Sequence, residues 1–158
     1  GLWNGVPFTE RLATAVRTDP ARGGSEARVG LLVCDLDGFK GVNDVHGHTV
    51  GDEVLVVAAR RLADAVRDGD VVCRFGGDEF MVLCERIGAD DLVAVAERIV
   101  DALAAPVTID GLVVQIGVSV GAALAEPSDA DDPDALVRRA DRAMYQAKGT
   151  GRGRVVLV

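Results

Sequence analysis

An apolar run that ends abruptly at two aspartates places the strongest limit on how this chain can fold. Val29–Cys34 contains only apolar residues, and Asp35 and Asp37 follow at once on either side of a leucine. A short apolar run without alternation predicts a central β-strand that is buried on both faces. Because an unpaired carboxylate in a dry core is strongly unfavourable, we expect the strand to stop at Cys34 and both acids to project into a crevice at its end. A simple turn that begins with Asp is the alternative at this point.

The rest of the hydrophobic pattern alternates between helical and strand periods. Helical spacing of apolar residues predicts helices at Phe8–Arg17, from about Gly38, and at Val50–Val66, Ala89–Leu103 and Asp132–Lys148. Short apolar runs predict strands at Val71–Phe75, Phe80–Cys84, Val107–Ile109, Leu112–Ala125 and Val155–Val158. Thr18–Arg28 is expected to be a polar loop. These elements predict an α/β fold, with a mixed central sheet flanked by helices, in a single domain over residues 1–158.

The charge balance excludes one class of partner. The 158 residues include 17 Lys and Arg against 25 Asp and Glu, which gives a net charge of −8. Because contacts with nucleic-acid phosphates need clustered cations, we expect no binding of DNA or RNA. An acidic protein still binds a nucleotide where a divalent cation bridges carboxylates and phosphates.

Composition also bears on location. No apolar run approaches the roughly 18–20 residues that cross a bilayer, so we expect no membrane segment in this chain. Cys34, Cys73 and Cys84 each lie in an apolar run without metal-ligand spacing, and we interpret them as buried small hydrophobes in a reducing compartment. These patterns favour a cytoplasmic location. Since the chain begins with Gly1, we expect it to be one domain of a longer regulated protein, whether or not that protein is attached to a membrane.

The segment from Gly76 to Glu79 adds a second pair of acids. Gly76 and Gly77 lie between two predicted strands, and paired glycines there indicate a β-hairpin because they accept positive φ without steric cost. Asp78 and Glu79 follow directly. If this hairpin lies beside the strand that ends at Asp35, the carboxylates converge as hard oxygen ligands that suit Mg²⁺, and a triphosphate can approach the glycine backbone. A plain hairpin without a ligand is the alternative.

Four segments, in order along the chain, resemble motifs of the GGDEF family of diguanylate cyclases. They are Asp35–Asp44 (DLDGFKGVND), Gly47–Asp52 (GHTVGD), Arg74–Phe80 (RFGGDEF), and Ala140–Lys148 (ADRAMYQAK) with Gly151 and Arg152 after it. The resemblance extends from about Val29 to the C-terminus. It implies a fold similar to the polymerase palm and nucleotidyl cyclase (ferredoxin-like) fold. The implied reaction condenses two GTP molecules into cyclic di-GMP and releases two pyrophosphates.

The resemblance also implies a metal site and a catalytic group. Asp35, the Leu36 backbone carbonyl and Asp78 match the family's metal positions, with Mg²⁺ as the expected ion and Mn²⁺ as the alternative. Asp78 also matches the catalytic acidic residue, and Glu79 and Lys40 are the other expected catalytic residues. Such a metal polarises the α-phosphate and lowers the pKa of the attacking 3′-hydroxyl in an in-line displacement.

The expected GTP-binding residues form the largest group. They are Phe39, Asn43, His48, Asp52, Gly76, Gly77, Lys148 and Arg152. Asn43 and Asp52 match the pair that recognises guanine, since a carboxylate accepts hydrogen bonds from N1–H and N2–H₂, which adenine does not offer. Helix caps are the alternative role for that pair. Lys148 and Arg152 match contacts to the terminal phosphate.

A further pattern resembles the family's product-inhibition site. Arg67 and Asp70 form an R-x-x-D motif at the family's distance before Gly76, and Arg98 matches a second arginine that contacts the inhibitor. Guanidinium groups suit this task because they form forked hydrogen bonds with phosphate and stack on guanine. Because the product joins two nucleotides through two equivalent bonds, the reaction requires a homodimer.

Two functions are consistent with these residues. The leading interpretation is a Mg²⁺-dependent diguanylate cyclase domain with product feedback inhibition, since every catalytic position is filled. The alternative is a catalytically silent receptor domain that binds GTP or cyclic di-GMP. The first residues favour the alternative, because Leu2–Phe8 (LWNGVPF) departs from the family's usual L-T-G-L-x-N-R pattern and lacks its Asn-Arg pair.

Overall fold

The structure, a computed structural model, describes residues 5–19 and 27–158. The helices are α1 (Gly5–Arg17), α2 (Phe39–His46), α3 (His48–Ala65), α4 (Ala89–Ala104) and α5 (Pro133–Gly149), with a 3₁₀ turn at Pro127–Ala130. The strands are β1 (Arg28–Asp37), β2 (Val71–Gly76), β3 (Glu79–Ile87), β4 (Val107–Ile109), β5 (Leu112–Val114), β6 (Gly117–Leu124) and β7 (Val155–Leu157). None of the helices in the described part of the chain combines the length and the hydropathy that a bilayer span requires.

Five strands form the central sheet in the order β2-β3-β1-β6-β7, and β4 and β5 form a separate hairpin. β1 lies in the middle and pairs antiparallel with both β3 and β6, whereas β7 joins β6 in parallel. Leu31, Leu32, Val33 and Cys34 of β1 are fully buried, because helices cover both faces of this strand. The predicted α/β fold, with a mixed central sheet flanked by helices, is therefore confirmed.

The two faces of the sheet contribute to two hydrophobic clusters. Leu32 and Cys34 belong to the cluster shared with α3 and α4, whereas Leu31 and Val33 belong to the cluster shared with α1 and α5. Alternate residues of a strand point to opposite faces of the sheet. Asp35 therefore continues the row of Leu31 and Val33, on the face that α5 covers.

β1 does not stop at Cys34, as the apolar pattern predicts, but continues through Asp37. Asp35 pairs with Glu79 of β3 and with Ser119 of β6. The predicted end of the strand at Cys34 is wrong because the carboxylates of Asp35 and Asp37 both have binding partners in the folded chain. Groups from distant parts of the chain bind both of them, as described below.

The predicted strand Leu112–Ala125 is two strands, β5 and β6. The strand is interrupted between them at Gln115, whose side-chain amide donates hydrogen bonds to the backbone carbonyls of Ala104 and Ile116. A side chain that binds the backbone in this way replaces part of the strand ladder. The apolar pattern alone gives no sign of this break.

Two predicted boundaries near the start of the chain also differ. α1 begins at Gly5 rather than at Phe8, which is allowed because Pro7 is tolerated in the first turn of a helix. Most of the predicted loop Thr18–Arg28 falls on residues 20–26, which lie outside the described residues. Arg28 itself already belongs to β1.

α5 packs against β6 through direct backbone contact. A Cβ built on Gly121 would lie 2.0 Å from the Ala140 carbonyl oxygen and 2.3 Å from the Met144 amide nitrogen. Only glycine allows the helix to approach so closely. This packing fixes the C-terminal end of α5, and with it Lys148, beside the end of β1 that carries Asp35.

Cys34, Cys73 and Cys84 are buried and have free thiols, as predicted. Burial, with smaller contributions from the charges of Asp35 and Glu79, raises the pKa of Cys34 to about 12. The Cys34 thiol therefore stays protonated at neutral pH and acts as a small apolar side chain.

Candidate functional site

The predicted acidic cluster lies at one end of the sheet, on β1 and the β2–β3 hairpin. Strand pairing places Glu79 opposite Asp35, and the Leu36 amide donates a hydrogen bond to the Asp78 carbonyl oxygen at 3.1 Å. The Asp78 carboxylate is close enough to Asp35 to contribute to the raised pKa of the Asp35 carboxyl. The hairpin is thus beside β1, which is the condition that the predicted metal site requires.

Lys148, near the end of α5, binds this cluster directly. Its Nζ atom lies 3.1 Å from Asp35 Oδ2 and 3.5 Å from Asp37 Oδ1, and its side chain is only 20% exposed. The sequence predicts a phosphate contact for this lysine. The structure places its ammonium group against the two carboxylates of β1.

The acidic cluster carries more negative charge than Lys148 balances. Burial raises the pKa of Asp35; the hydrogen bond with Lys148 opposes that rise, and the nearby Asp78 carboxylate adds to it. Burial also raises the pKa of Glu79, with repulsion from Asp141 on α5 as the next cause. A further cation near these carboxylates would therefore be stabilised.

The atoms present fit a small, hard metal ion. Asp35 Oδ1 is buried and has no hydrogen-bond partner among the described residues, and such a buried acceptor calls for a ligand. Asp35, Asp78 and the Leu36 carbonyl would offer oxygen ligands only, which suits Mg²⁺ or Mn²⁺. Within residues 5–19 and 27–158, no group of three or more His, Cys, Asp or Glu side chains forms a metal site. The remaining ligands would be water and substrate phosphates, as is usual for Mg²⁺.

A cleft of about 430 Å³ lies beside the hairpin. Asp52 on α3 lines it, exposed to solvent, and the other lining residues are Leu55, Val56, Ala59 and Arg74. The volume is in the range of small-molecule pockets. A purine base fits a cleft of this size.

Asn43, the other predicted guanine contact, lies on α2 next to the start of α3. A Cβ built on Gly51 would be only 1.7 Å from Asn43 Oδ1, so the glycine is what admits the Asn43 side chain. Asn43 Oδ1 is buried and has no hydrogen-bond partner in the part of the chain that the structure describes. Neither Asn43 nor Asp52 is a helix cap, because the N-cap positions of α2 and α3 are Gly38 and Gly47. The capping alternative is therefore wrong.

The hairpin itself presents open backbone. Gly76 and Gly77 have φ of 113° and 53°, in the region that favours glycine, and no other heavy atom lies within 4 Å of where a Cβ would be. Arg74 Nε and Nη2 donate hydrogen bonds to the Gly77 carbonyl at 3.0 and 2.7 Å. Arg74 also lines the cleft, so it joins the base-sized cleft to the hairpin. Arg74 is the first residue of the RFGGDEF motif, but the motif alone does not indicate this role.

The remaining predicted GTP and catalytic residues differ in exposure. Lys40 on the first turn of α2 and His48 at the start of α3 are exposed. Phe39 is 7% exposed and belongs to the hydrophobic core, so the structure places its ring among core residues rather than on an open surface. Arg152 is exposed in the loop after α5, with a positive φ of 61°.

The predicted product-inhibition residues lie around the C-terminal end of α3. Arg67 Nη2 binds Asp70 Oδ1 at 2.9 Å, and the Arg67 amide donates to Asp70 Oδ2 at 2.8 Å. Arg67 Nη2 also donates to the Glu85 carbonyl at 3.0 Å. Arg98 on α4 donates to the carbonyl of Ala65, the last residue of α3, at 3.1 Å. The two arginines therefore occupy neighbouring positions on one side of the molecule.

Asp37 is predicted from the sequence to share the crevice with Asp35, without a role of its own. The structure shows that Ser119 Oγ and the Gly153 amide donate hydrogen bonds to the Asp37 carboxylate. Ser119 was missed altogether. The sequence signal for this residue is a hydroxyl in an otherwise apolar strand. The structure buries Ser119 fully in β6.

Comparison with known proteins extends these observations. The family model described as "Diguanylate cyclase, GGDEF domain" matches residues 1–154. The response regulator PleD of Caulobacter vibrioides is 40% identical over 161 residues, which cover 99% of this chain and 34% of PleD. The curated relatives are longer proteins, of which this chain spans between 18% and 34%.

Solved structures share the fold over the full chain. The GGDEF domain of YfiN (TpbB) from Pseudomonas aeruginosa superposes with a TM-score of 0.89 and 38% identity, covering 100% of this chain and 97% of that one. The GGDEF domain of DgcB from Caulobacter crescentus, in complex with c-di-GMP, gives a TM-score of 0.89 and 29% identity over 99% of this chain and 91% of that one. With a family model that matches nearly its whole length, the chain belongs to the GGDEF family.

Proposed function

We propose that this chain is a diguanylate cyclase domain that condenses two GTP molecules into cyclic di-GMP and two pyrophosphates. The observation that carries the proposal is the acidic cluster of Asp35 and Asp78, with its buried, unpartnered Asp35 Oδ1, beside a glycine hairpin and a base-sized cleft. The relatives named as diguanylate cyclases support the same activity. A cytoplasmic location and a single domain over residues 1–158 stay predictions.

In this proposal, GTP extends from the cleft across the hairpin to the end of α5. Asp52 and the unpartnered Asn43 Oδ1 accept hydrogen bonds from the donor edge of guanine. The open backbone at Gly76 and Gly77 lets the phosphates pass close to the hairpin. Lys148 and Arg152 bind the terminal phosphate, with Lys40 as a further cation and His48 near the nucleotide.

Diguanylate cyclases of this family depend on a metal ion, and we propose Mg²⁺, with Mn²⁺ as the alternative, held by Asp35, the Leu36 carbonyl and Asp78. When bound, the ion polarises the α-phosphate and lowers the pKa of the attacking 3′-hydroxyl. Glu79, which pairs with Asp35 across the neighbouring strands, lies beside this position as a further catalytic residue. Lys148, held at the end of β1 by Asp35 and Asp37, binds the substrate phosphate from that position.

The symmetry of the product requires two copies of the chain. Two equivalent phosphodiester bonds form, and each replaces a bond between an α-phosphate and a leaving pyrophosphate. Because the proposed site holds one nucleotide, two domains must face each other, with each 3′-hydroxyl attacking the α-phosphate held by the other domain. The acidic clusters of the two copies then lie on opposite sides of the same product.

Product inhibition is the regulatory part of the proposal. Arg67 and Arg98 lie on one side of α3, and Asp70 fixes the Arg67 guanidinium through hydrogen bonds of 2.9 to 3.3 Å. A guanidinium held in this way has its Nη1 group to donate to a phosphate and its planar face to stack on a guanine base. The complex of the related DgcB domain with c-di-GMP supports binding of this ligand.

The test is conversion of GTP in the presence of Mg²⁺, with separation of nucleotides by chromatography and a pyrophosphate assay. We expect one cyclic di-GMP for every two pyrophosphates. Asp78→Asn should lower turnover at least about a hundredfold, because it removes a charge that acts at the reacting phosphate. Asp134→Asn, an exposed change at the far end of α5, is the matched control.

Two outcomes would contradict this proposal in different ways. Tight GTP binding without conversion would favour the silent receptor. Near-normal turnover by Asp78→Asn would make Asp78 an ordinary hairpin residue.

A further inference from the structure

Asp37 is bound more completely than any other carboxylate near the predicted site. Ser119 Oγ lies 2.9 Å from both Asp37 Oδ1 and Oδ2, and the Gly153 amide donates to Oδ2 at 2.9 Å. Lys148 Nζ is 3.5 Å from Oδ1, and the Asp37 side chain is only 12% exposed. Because Ser119 is fully buried, the orientation of this carboxylate is fixed from within the sheet.

The Gly153 contact ties down the loop that follows α5. Gly151, Arg152 and Gly153 have φ of 128°, 61° and 56°, so three consecutive residues adopt positive φ. For Arg152 such a conformation persists only where the surroundings hold it. The Arg152 amide donates to the Ala147 carbonyl at 2.9 Å, which fixes the start of the turn.

The hydrogen bond from Gly153 to Asp37 fixes the other side of Arg152. It connects this loop to the last residue of β1, two positions after Asp35. One strand end thus carries both a predicted metal ligand and the anchor of a loop that bears a predicted phosphate contact. Lys148, the other predicted phosphate contact, touches the same two carboxylates.

We propose that Asp37 is a positioning residue for the phosphate tail of a nucleoside triphosphate. Through the Gly153 amide it sets the place of Arg152, and through its charge it holds the Lys148 ammonium at the end of β1. Ser119 orients the carboxylate for both tasks. This inference rests on the proposed GTP site and adds a residue that acts through the two cations rather than on substrate.

The proposal predicts a loss that depends on the phosphate tail. In Asp37→Asn the amide has a single acceptor oxygen and no charge, so it cannot accept from Ser119, Gly153 and Lys148 together. Binding of a non-hydrolysable GTP analogue should weaken at least about tenfold, the effect expected for one misplaced contact with a charged group. GMP lacks the terminal phosphates, so its affinity should stay within about twofold.

The experiment measures binding of three probes, the GTP analogue, GMP and inorganic tripolyphosphate, to the intact chain by calorimetry. The variants are Asp37→Asn, Arg152→Ala and the double variant, with Asp134→Asn as the matched control. Because Asp37 acts partly through Arg152 and partly through Lys148, the loss in the double variant should be smaller than the sum of the two single losses. If Asp37→Asn does not fold, Ser119→Ala should give a smaller loss with the same dependence on the phosphate tail.

The outcomes separate this inference from the proposed function. Unchanged affinity of Asp37→Asn for the analogue and for tripolyphosphate would overturn it, as would an equal loss for GMP, which would indicate a structural role alone. Fully additive losses in the double variant would also overturn it. If the unmodified chain binds tripolyphosphate but no guanine nucleotide, the proposed function fails, whereas weaker tripolyphosphate binding by Asp37→Asn still supports the positioning role.

Discussion

Replacement of Gly51 by Ala should damage guanine recognition without unfolding the chain. The added methyl group would lie 1.7 Å from Asn43 Oδ1, whereas ordinary van der Waals contact begins at 3.4 Å. The Asn43 amide must therefore retreat by about 1.7 Å, because overlap of this size is not tolerated in a packed interior. A hydrogen bond that is lost while its partner stays buried costs about 1–3 kcal/mol, which is roughly 5- to 150-fold in affinity.

The same substitution should not cost helix stability. Gly51 lies inside α3, and alanine is favoured over glycine in a helix interior by about 1 kcal/mol. That gain offsets part of the free-energy cost of repacking the side chains around Asn43. We therefore expect GTP affinity to fall by about 10- to 100-fold, while the melting temperature of the ligand-free protein changes little.

The assay is competition of GTP against a fluorescent GTP analogue, together with thermal unfolding. Gly41→Ala is the matched control, because Gly41 lies on α2 and a Cβ there would have no heavy atom within 4 Å. If Gly51→Ala binds GTP as well as Gly41→Ala does, the position of Asn43 does not determine binding and the reasoning is refuted.

Three other changes have distinct expected results. Arg67→Ala should weaken inhibition by cyclic di-GMP while initial rates with fresh GTP stay similar; an unchanged inhibition curve would make Arg67 an ordinary surface residue. The unmodified chain should make only cyclic di-GMP from equimolar GTP and ATP, whereas Asp52→Ser should bind GTP more weakly and begin to accept ATP; mixed dinucleotide from the unmodified chain would argue against Asp52 as the guanine contact. Burial alone would raise the pKa of Asp129, but hydrogen bonds from Arg139 and the Glu126 amide lower it overall, so this carboxylate stabilises the fold above about pH 4 and loses that effect as pH falls through its folded pKa. Asp129→Asn should therefore cost about 3 kcal/mol of unfolding free energy at pH 7 and progressively less as the pH falls below about 4, and a loss that stays constant across that range would contradict this assignment.

Local patterns were enough to predict the elements that surround the site. The apolar run of β1 and the paired glycines before Asp78 each depend on neighbours in sequence, and the structure has a strand and a hairpin there. The same is true of α4, where the helical spacing of apolar residues predicted Ala89–Leu103 and the structure extends it by one residue. The fold class could be predicted from these elements because few arrangements of them bury the apolar face of each one.

The missed features depend on contacts between distant residues. β1 extends to Asp37 because Ser119 and Gly153, which lie 82 and 116 residues away in sequence, donate hydrogen bonds to its carboxylate. No local pattern contains that information. The approach of Asn43 to Gly51 is a similar case, since it depends on how α2 and α3 pack.

The partnership of Lys148 shows a third kind of limit. The motif resemblance predicts what this lysine would contact with GTP bound. Its contacts with Asp35 and Asp37 follow from the packing of α5 against the sheet, which brings this cation to an acidic cluster. The motif does not contain that information, because it does not show which residues of β1 lie beside the end of α5.

A reaction shared by two facing domains is tested most directly by the rate of cyclic di-GMP formation per chain. This rate is measured with GTP and Mg²⁺ over a wide range of protein concentration. If two facing domains share the reaction, the rate per chain should rise with concentration until the dimer is saturated. Addition of excess Asp78→Asn chain at low concentration should then suppress the rate, because mixed pairs hold one impaired site. A rate per chain that stays flat in a demonstrably monomeric sample, or no cyclic di-GMP at any concentration despite bound GTP, would contradict the account.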